Sequence, residues 1–275
     1  MTKFLWVCVL VIASSAAFGA KNTMMRRGGV GFLFLDHNNL GANPGHLAQD
    51  VGTGIEIGYT RQKVGTTDST AQTLTTSVAY GNGNLGIGVF GNRASTDLTK
   101  GDLSADTVGA ALGGSFAKQQ LTVGASYQRT ISSGTTNNGA FLGSLVYSGA
   151  GGTGIAIGAQ ADLTLAKAGS NTVGATGAIG YAFKDRLSSV EATFNFPDVN
   201  RTSEYIGSGY LNVGYKIMYF GGGYNYIKTS ATGVSQAQGR VGVLLGSYVD
   251  LSAVAQYQFV SGSTLAYGGT LRASF

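Results

Sequence analysis

The chain has 275 residues, of which 45 are glycine, two proline and one cysteine; 11% are charged and the formal net charge is +5. Low charge and abundant glycine suit disordered chains, but such chains are poor in aromatic and β-branched residues; here there are 14 tyrosines, 13 phenylalanines and a sustained alternation of Val, Ile and Leu. No basic stripe runs along any segment, so no nucleic-acid surface is expected.

The chain opens with Lys3, an apolar run from Phe4 to Ala13, and small residues through Ala20. This pattern reads as a secretory signal peptide over residues 1–20, cleaved after Ala17, Gly19 or Ala20. The apolar run is too short to span a bilayer as a helix, which takes roughly 20 residues. Cys8 lies inside that run, whereas a lipoprotein cysteine would stand at the cleavage site. The mature chain would then hold no cysteine, which excludes disulfides and thiolate metal sites.

Residues 21–52 show neither strand alternation nor a helical period. They hold both histidines, His37 and His46. Their spacing to Asp36 and Asp50 suggests no helix or hairpin that would gather metal ligands, so neither a metal nor any other cofactor is expected.

From residue 53 to 275 the chain is a series of alternating segments of roughly ten residues, the length and period of membrane-crossing strands. About fourteen are legible, with a range of 12 to 16. They are Gly54–Lys63, Ala71–Tyr80, Asn84–Asn92, Asp106–Ala117, Gln120–Ile131, Gly139–Ser148, Thr153–Ala166, Asn171–Lys184, Ser188–Phe196, Glu204–Tyr215, Met218–Lys228, Ser235–Gly246, Val249–Val260 and Ser263–Phe275. One face of each is apolar, as in Leu251, Ala253, Ala255 and Tyr257. The other is small or polar, as in Ser252, Gln256 and Gln258. Tight joins at residues 81–83, 117–119, 184–186, 215–217 and 246–248 alternate with looser polar stretches at 64–70, 93–105, 132–138, 197–203 and 229–234. Short turns at one end and longer loops at the other are the asymmetry of outer-membrane barrels. The joins at 150–152 and 167–170 are ambiguous.

Pro44 and Pro197 both fall outside the strand interiors, where a proline would delete a ladder hydrogen bond. Gly81-Asn-Gly-Asn-Leu-Gly86 has the spacing of a dinucleotide fingerprint but opens a strand rather than a helix, so it reads as a hairpin turn. The fold expected is all-β: a transmembrane antiparallel barrel over residues 53–275, preceded by the segment 21–52.

The last strand, Leu265 to Phe275, places Tyr267, Leu271 and Phe275 on one face and ends on an aromatic residue. It resembles the C-terminal assembly signal of bacterial outer-membrane barrels. That resemblance implies recognition by the barrel-assembly machinery, a location in the outer membrane of a Gram-negative cell, and lipid and lipopolysaccharide as surroundings.

Within residues 21–52, Gly28-Gly-Val-Gly-Phe-Leu-Phe-Leu precedes Asp36, and Asn43-Pro44-Gly45-His46-Leu47 follows. This resembles the N-terminal region of the long-chain fatty-acid transporter family, the FadL-type channels for hydrophobic compounds. Members carry a Gly/Ala-rich run, an aspartate, then Asn-Pro-Ala-x-Leu. Asp36, Asn43, Pro44 and Leu47 match; Gly45 stands where alanine is usual. The chain is shorter than typical members and its loops are too short for that family's hydrophobic docking surface. The resemblance implies a fourteen-stranded barrel with residues 21–52 folded inside as a plug.

The polar register carries few charges: Glu56, Asp162, Glu191, Arg240, Asp250 and Arg272. An ion-selective pore would show rings or clusters of charge. The function expected is passive transport of small molecules across the outer membrane, hydrophobic ones first. A general diffusion porin for small polar solutes and a closed structural barrel stay open as alternatives. No catalytic constellation assembles from the sequence, so no enzyme is expected.

Overall fold

A computed structural model describes residue 33 and residues 44–49, 51–63, 70–97, 103–118, 120–132, 138–148, 153–166, 170–183, 188–245, 249–259 and 264–274. Fourteen strands close into one antiparallel barrel. They are β1 Val51–Lys63, β2 Thr70–Asn82, β3 Leu85–Asp97, β4 Leu103–Phe116, β5 Leu121–Ser132, β6 Asn138–Ser148, β7 Gly154–Leu165, β8 Thr172–Ala182, β9 Ser189–Phe196, β10 Tyr205–Tyr215, β11 Met218–Lys228, β12 Gly233–Leu245, β13 Val249–Phe259 and β14 Thr264–Ser274. Every strand pairs with its sequence neighbours, and β14 returns to β1 from Gly54↔Ser274 to Gln62↔Ala266. Closure leaves no unpaired edge, the condition for a sheet in lipid.

Alternation dictates which way each side chain points. Ile57, Val89, Leu112, Ile157, Ile179, Leu211, Phe220 and Leu271 lie exposed on the outer surface. Water would not tolerate so continuous an apolar band, and each such side chain gains about 1.5–3 kcal/mol on leaving it. The barrel is therefore transmembrane. Outward aromatics gather near the strand ends, with Tyr80, Phe116, Tyr147, Tyr181 and Tyr215 toward one rim and Tyr127, Phe141, Phe194, Tyr257 and Tyr267 toward the other. Several pack ring to ring, as do Tyr127 and Phe141 with centroids 4.6 Å apart. Amphipathic rings favour both bilayer interfaces.

The tight connections share one end, called the turn end here. Between β2 and β3, Gly83 takes a left-handed φ of 88°. The Asn82 carboxamide oxygen accepts the N–H groups of Asn84 and Leu85 at 3.0 and 2.7 Å. Between β4 and β5, Ala117 and Lys118 are both left-handed, with φ of 50° and 58°, in a four-residue turn closed by Phe116 opposite Leu121. The looser connections lie at the opposite, loop end.

Two stretches expected to be loops continue the sheet instead. β3 and β4 run on into residues 93–105, with Arg93 opposite Asp106 and Thr96 opposite Leu103. Arg93 and Asp106 approach to 3.8 Å. Asn92-Arg-Ala-Ser-Thr-Asp97 carries no apolar alternation, so its sequence hides the strand. Similarly, β12 begins at Gly233, inside the expected loop 229–234. β9 is the shortest strand, at eight residues, and ends immediately before Pro197, which has no N–H to continue a ladder.

Candidate channel lumen

The inward register follows from strand pairing. Glu56 lies opposite Arg272, and Arg272 opposite Asp250 on its other side. Glu191 lies opposite Tyr210, Arg240 opposite Val254, and Asp162 opposite Gly174. All six charged positions singled out from the sequence stand on this register, but they form no ring. Asp162 sits toward the loop end of β7, far along the wall from the others.

Three of the six join in one rib across the closing strands. Arg272 Nε and Nη2 both donate to Glu56 Oε2 at 3.2 Å. Arg272 Nη1 stands 4.0 Å from an Asp250 oxygen. The Tyr219 hydroxyl donates to Asp250 at 2.8 and 3.0 Å. Arg240 donates to Ser252 Oγ at 2.8 Å, and its guanidinium carbon lies 5.4 Å from the Tyr219 ring centre. Arg272 is 2% exposed and Tyr219 fully buried. Buried charges persist only when paired and hydrogen-bonded, and removing one partner costs about 3–5 kcal/mol. Tyr219 was not singled out from the sequence, although the parity of β11 puts it inward.

The described N-terminal residues lie against the turn-end part of the inner wall. Pro44–Gln49 forms a 3₁₀ turn on the inner face of β2 to β6. Leu47 packs with Ala79, Ala111 and Phe90. Gly113 and Gly124 supply the space: a Cβ at 124 would strike the backbone of Pro44 and Gly45, and one at 113 the Pro44 carbonyl. Gly45 is less confined, since a Cβ there would meet Thr122 Oγ1 at 3.2 Å and Thr122 Cβ at 3.3 Å, tight contacts rather than clashes. Among the matched motif residues, Pro44 and Leu47 belong to this turn; Asp36 and Asn43 lie outside the described residues.

Leu33 makes a second contact of the N-terminal segment with the wall. Its N–H donates to both oxygens of Glu191 at 2.9 Å, and its side chain joins Val146, Ala156, Ala178 and Ala182. Nothing periodic marks Leu33 in the sequence. Close by, Asn212 donates to Ser189 Oγ at 2.9 Å.

Inward side chains of the loop-end half are only partly buried and mostly uncharged: Thr176, Asn195, Tyr210, Asn225, Gln236, Gln238 and Gln256 among them. Asn195 donates to Thr176 Oγ1 at 2.6 Å, Tyr210 to Asn225 at 2.9 Å, and Gln256 to Gln236 at 2.9 Å. Among the described residues no group of three or more His, Cys, Asp and Glu is placed to hold a metal. Tyr267 and Leu271 of the C-terminal strand face outward; Phe275 lies outside the described residues.

No protein-family model matches the chain, and no curated protein sequence does. Among solved structures it is similar to CymD, a monoaromatic hydrocarbon channel, with a TM-score of 0.60 and 12% identity over 96% of this chain and 97% of that one. Weaker likenesses are to a multiply substituted Rh. blastica porin (TM-score 0.48, 13% identity, 82% of this chain and 99% of that one) and to KdgM porin (TM-score 0.46, 10% identity, 80% and 99%). At such identities the likeness concerns the fold. The chain is a transmembrane antiparallel β-barrel of fourteen strands, with the fold of an outer-membrane channel.

Proposed function

We propose that the protein is a passive outer-membrane channel for small uncharged molecules, narrowed at its turn end by the N-terminal segment as a plug. Residues 1–20 would direct export, the last strand would be read by the assembly machinery, and lipid with lipopolysaccharide would surround the barrel. One observation carries the reading. Inside an apolar exterior, the wall is contacted at one end by Leu33 and Pro44–Gln49 and lined toward the other by partly exposed, uncharged polar groups. A barrel of this size without a plug would leave a partly open lumen.

Two solute classes have separate support. Apolar molecules are favoured by the motif around Asp36, Asn43, Pro44 and Leu47, by the scarcity of inward charge, and by the fold shared with a monoaromatic hydrocarbon channel. Neutral polar solutes are favoured by the hydroxyls and carboxamides of the loop-end wall.

The test is conductance and solute influx in reconstituted bilayers, for the exported chain and for a variant lacking residues 21–50, which leaves β1 whole. The deletion should raise conductance and abolish selectivity between an apolar tracer and a polar one. A folded, truncated barrel with unchanged conductance would overturn the plug. Absence of any influx through either form would overturn the channel and leave a structural barrel.

A further inference from the structure

One stretch of the loop-end wall carries chemistry that general passage does not require. Tyr210 on β10 points inward, and its ring lies against β11 at Gly223. A Cβ there would come within 2.5 Å of the ring edge and 3.0 Å of the Gln238 carboxamide nitrogen. Glycine therefore leaves room for the edge of an aromatic ring against the wall, with Gln238 beside it. The ring is fixed by its hydroxyl, which donates to Asn225 at 2.9 Å. Gln238 pairs across the sheet with Gln256, and Asn225 with Gln236, which accepts from Gln256 at 2.9 Å.

The result is an aromatic ring bordered by four carboxamides on adjacent strands, all partly exposed. Of the described N-terminal residues, Pro44–Gln49 lie across the barrel on β2 to β6, whereas Leu33 sits beside the track, on Glu191 opposite Tyr210.

Each carboxamide offers two donors and a two-lone-pair acceptor at fixed positions. A ring face is electron-rich and attracts the weakly positive C–H face of a saturated ring. A hydrocarbon would use the ring but strip water from the carboxamides without replacing its hydrogen bonds. A carboxylated solute would find no counter-charge among Tyr210, Asn225, Gln236, Gln238 and Gln256, which are all neutral. The chemistry matched on every count is a neutral ring bearing several hydroxyl groups.

We propose that the inner wall from β10 to β13 is a binding track for neutral, hydroxyl-rich ring solutes of the saccharide class, with Tyr210 as the stacking platform and Asn225, Gln236, Gln238 and Gln256 as hydrogen-bonding groups. The proposal rests on the channel reading and narrows its solute class.

The experiment uses the full exported chain, folded in detergent micelles and in proteoliposomes, with maltotriose as probe and a polyethylene glycol of equal mass as control. Saturation-transfer NMR should show transfer to the C–H protons of maltotriose and little to the glycol, and influx of maltotriose should saturate with concentration. The Tyr210→Leu variant and the double variant Q238L/Q256L should each weaken binding about tenfold, since each removes stacking or paired hydrogen bonds. Folding of each variant is checked by circular dichroism. Equal transfer to glycol and saccharide in the unaltered protein would overturn the proposal without any variant. Unchanged binding in folded variants would overturn it too. Non-saturating influx of both probes would leave the channel standing and remove the track. Saccharide binding with no influx would keep the track and remove the channel.

Discussion

Leu33 donates its backbone N–H to both carboxylate oxygens of Glu191, 158 positions further along the chain, at 2.9 Å each. Hydrogen bonds to a charged acceptor contribute about 1.5–3 kcal/mol. In Glu191→Gln, one of the two acceptor atoms becomes an NH₂ donor, which opposes the Leu33 N–H. Single-channel recording should then show openings roughly tenfold or more frequent, following the same magnitude. Unchanged opening would mean that Glu191 does not hold the N-terminal segment.

Gly124→Val tests the second anchor. Its side chain would occupy the place of the Pro44 and Gly45 backbone, so residues 44–49 should leave the wall while the β5 ladder persists. Limited proteolysis should cut the N-terminal segment of the variant and spare that of the parent. Equal resistance would place no importance on this packing.

The rib makes a prediction about stability. Arg272→Ala leaves Glu56 and Asp250 buried without the cation between them, at a cost of about 3–5 kcal/mol. The urea midpoint should fall accordingly. Replacing all three by apolar residues of similar volume should recover most of the loss, because removing a buried ion cluster whole is far cheaper than breaking it. No recovery would show that the rib does more than compensate its own charges.

The assignment of faces is open to direct test on β13. Ala253 faces lipid near the middle of the strand, whereas Gln256 faces the lumen. Ala253→Arg should destabilise the barrel by about 2–4 kcal/mol and Gln256→Arg by much less. Equal effects in a folding assay would reject the register.

Strand existence and facing were legible because lipid and lumen impose opposite chemistry on successive residues. Thus Ile57 and Glu56, or Leu271 and Arg272, declared their sides. Strand ends were less legible where apolar residues run out: Asn92 to Asp97 of β3 carries Ala94 as its single apolar residue and loses its alternation. Partnerships were not legible. Parity puts Tyr219, Asp250, Arg272 and Glu56 on one face, but only the stagger between strands decides that Arg272 falls between Glu56 and Asp250. The docking of Leu33 and Pro44–Gln49 depends on spaces left by Gly113, Gly124 and Ala178 on distant strands, and no local pattern encodes it.

Arg272 and Glu56 stand 216 residues apart, and that separation bears on the order of events during assembly. Until β14 arrives, β1 and β13 present bare ladder edges, and Glu56 and Asp250 face each other's neighbourhood with no cation between them. A chain stopped short of its final strand is thus penalised twice, by open peptide groups and by unmatched carboxylates in a poorly hydrated place. Bringing together positions so remote is slow on entropic grounds. The final strand supplies hydrogen bonds and counter-charge in the same step, so partly closed intermediates gain little and completion becomes all-or-none.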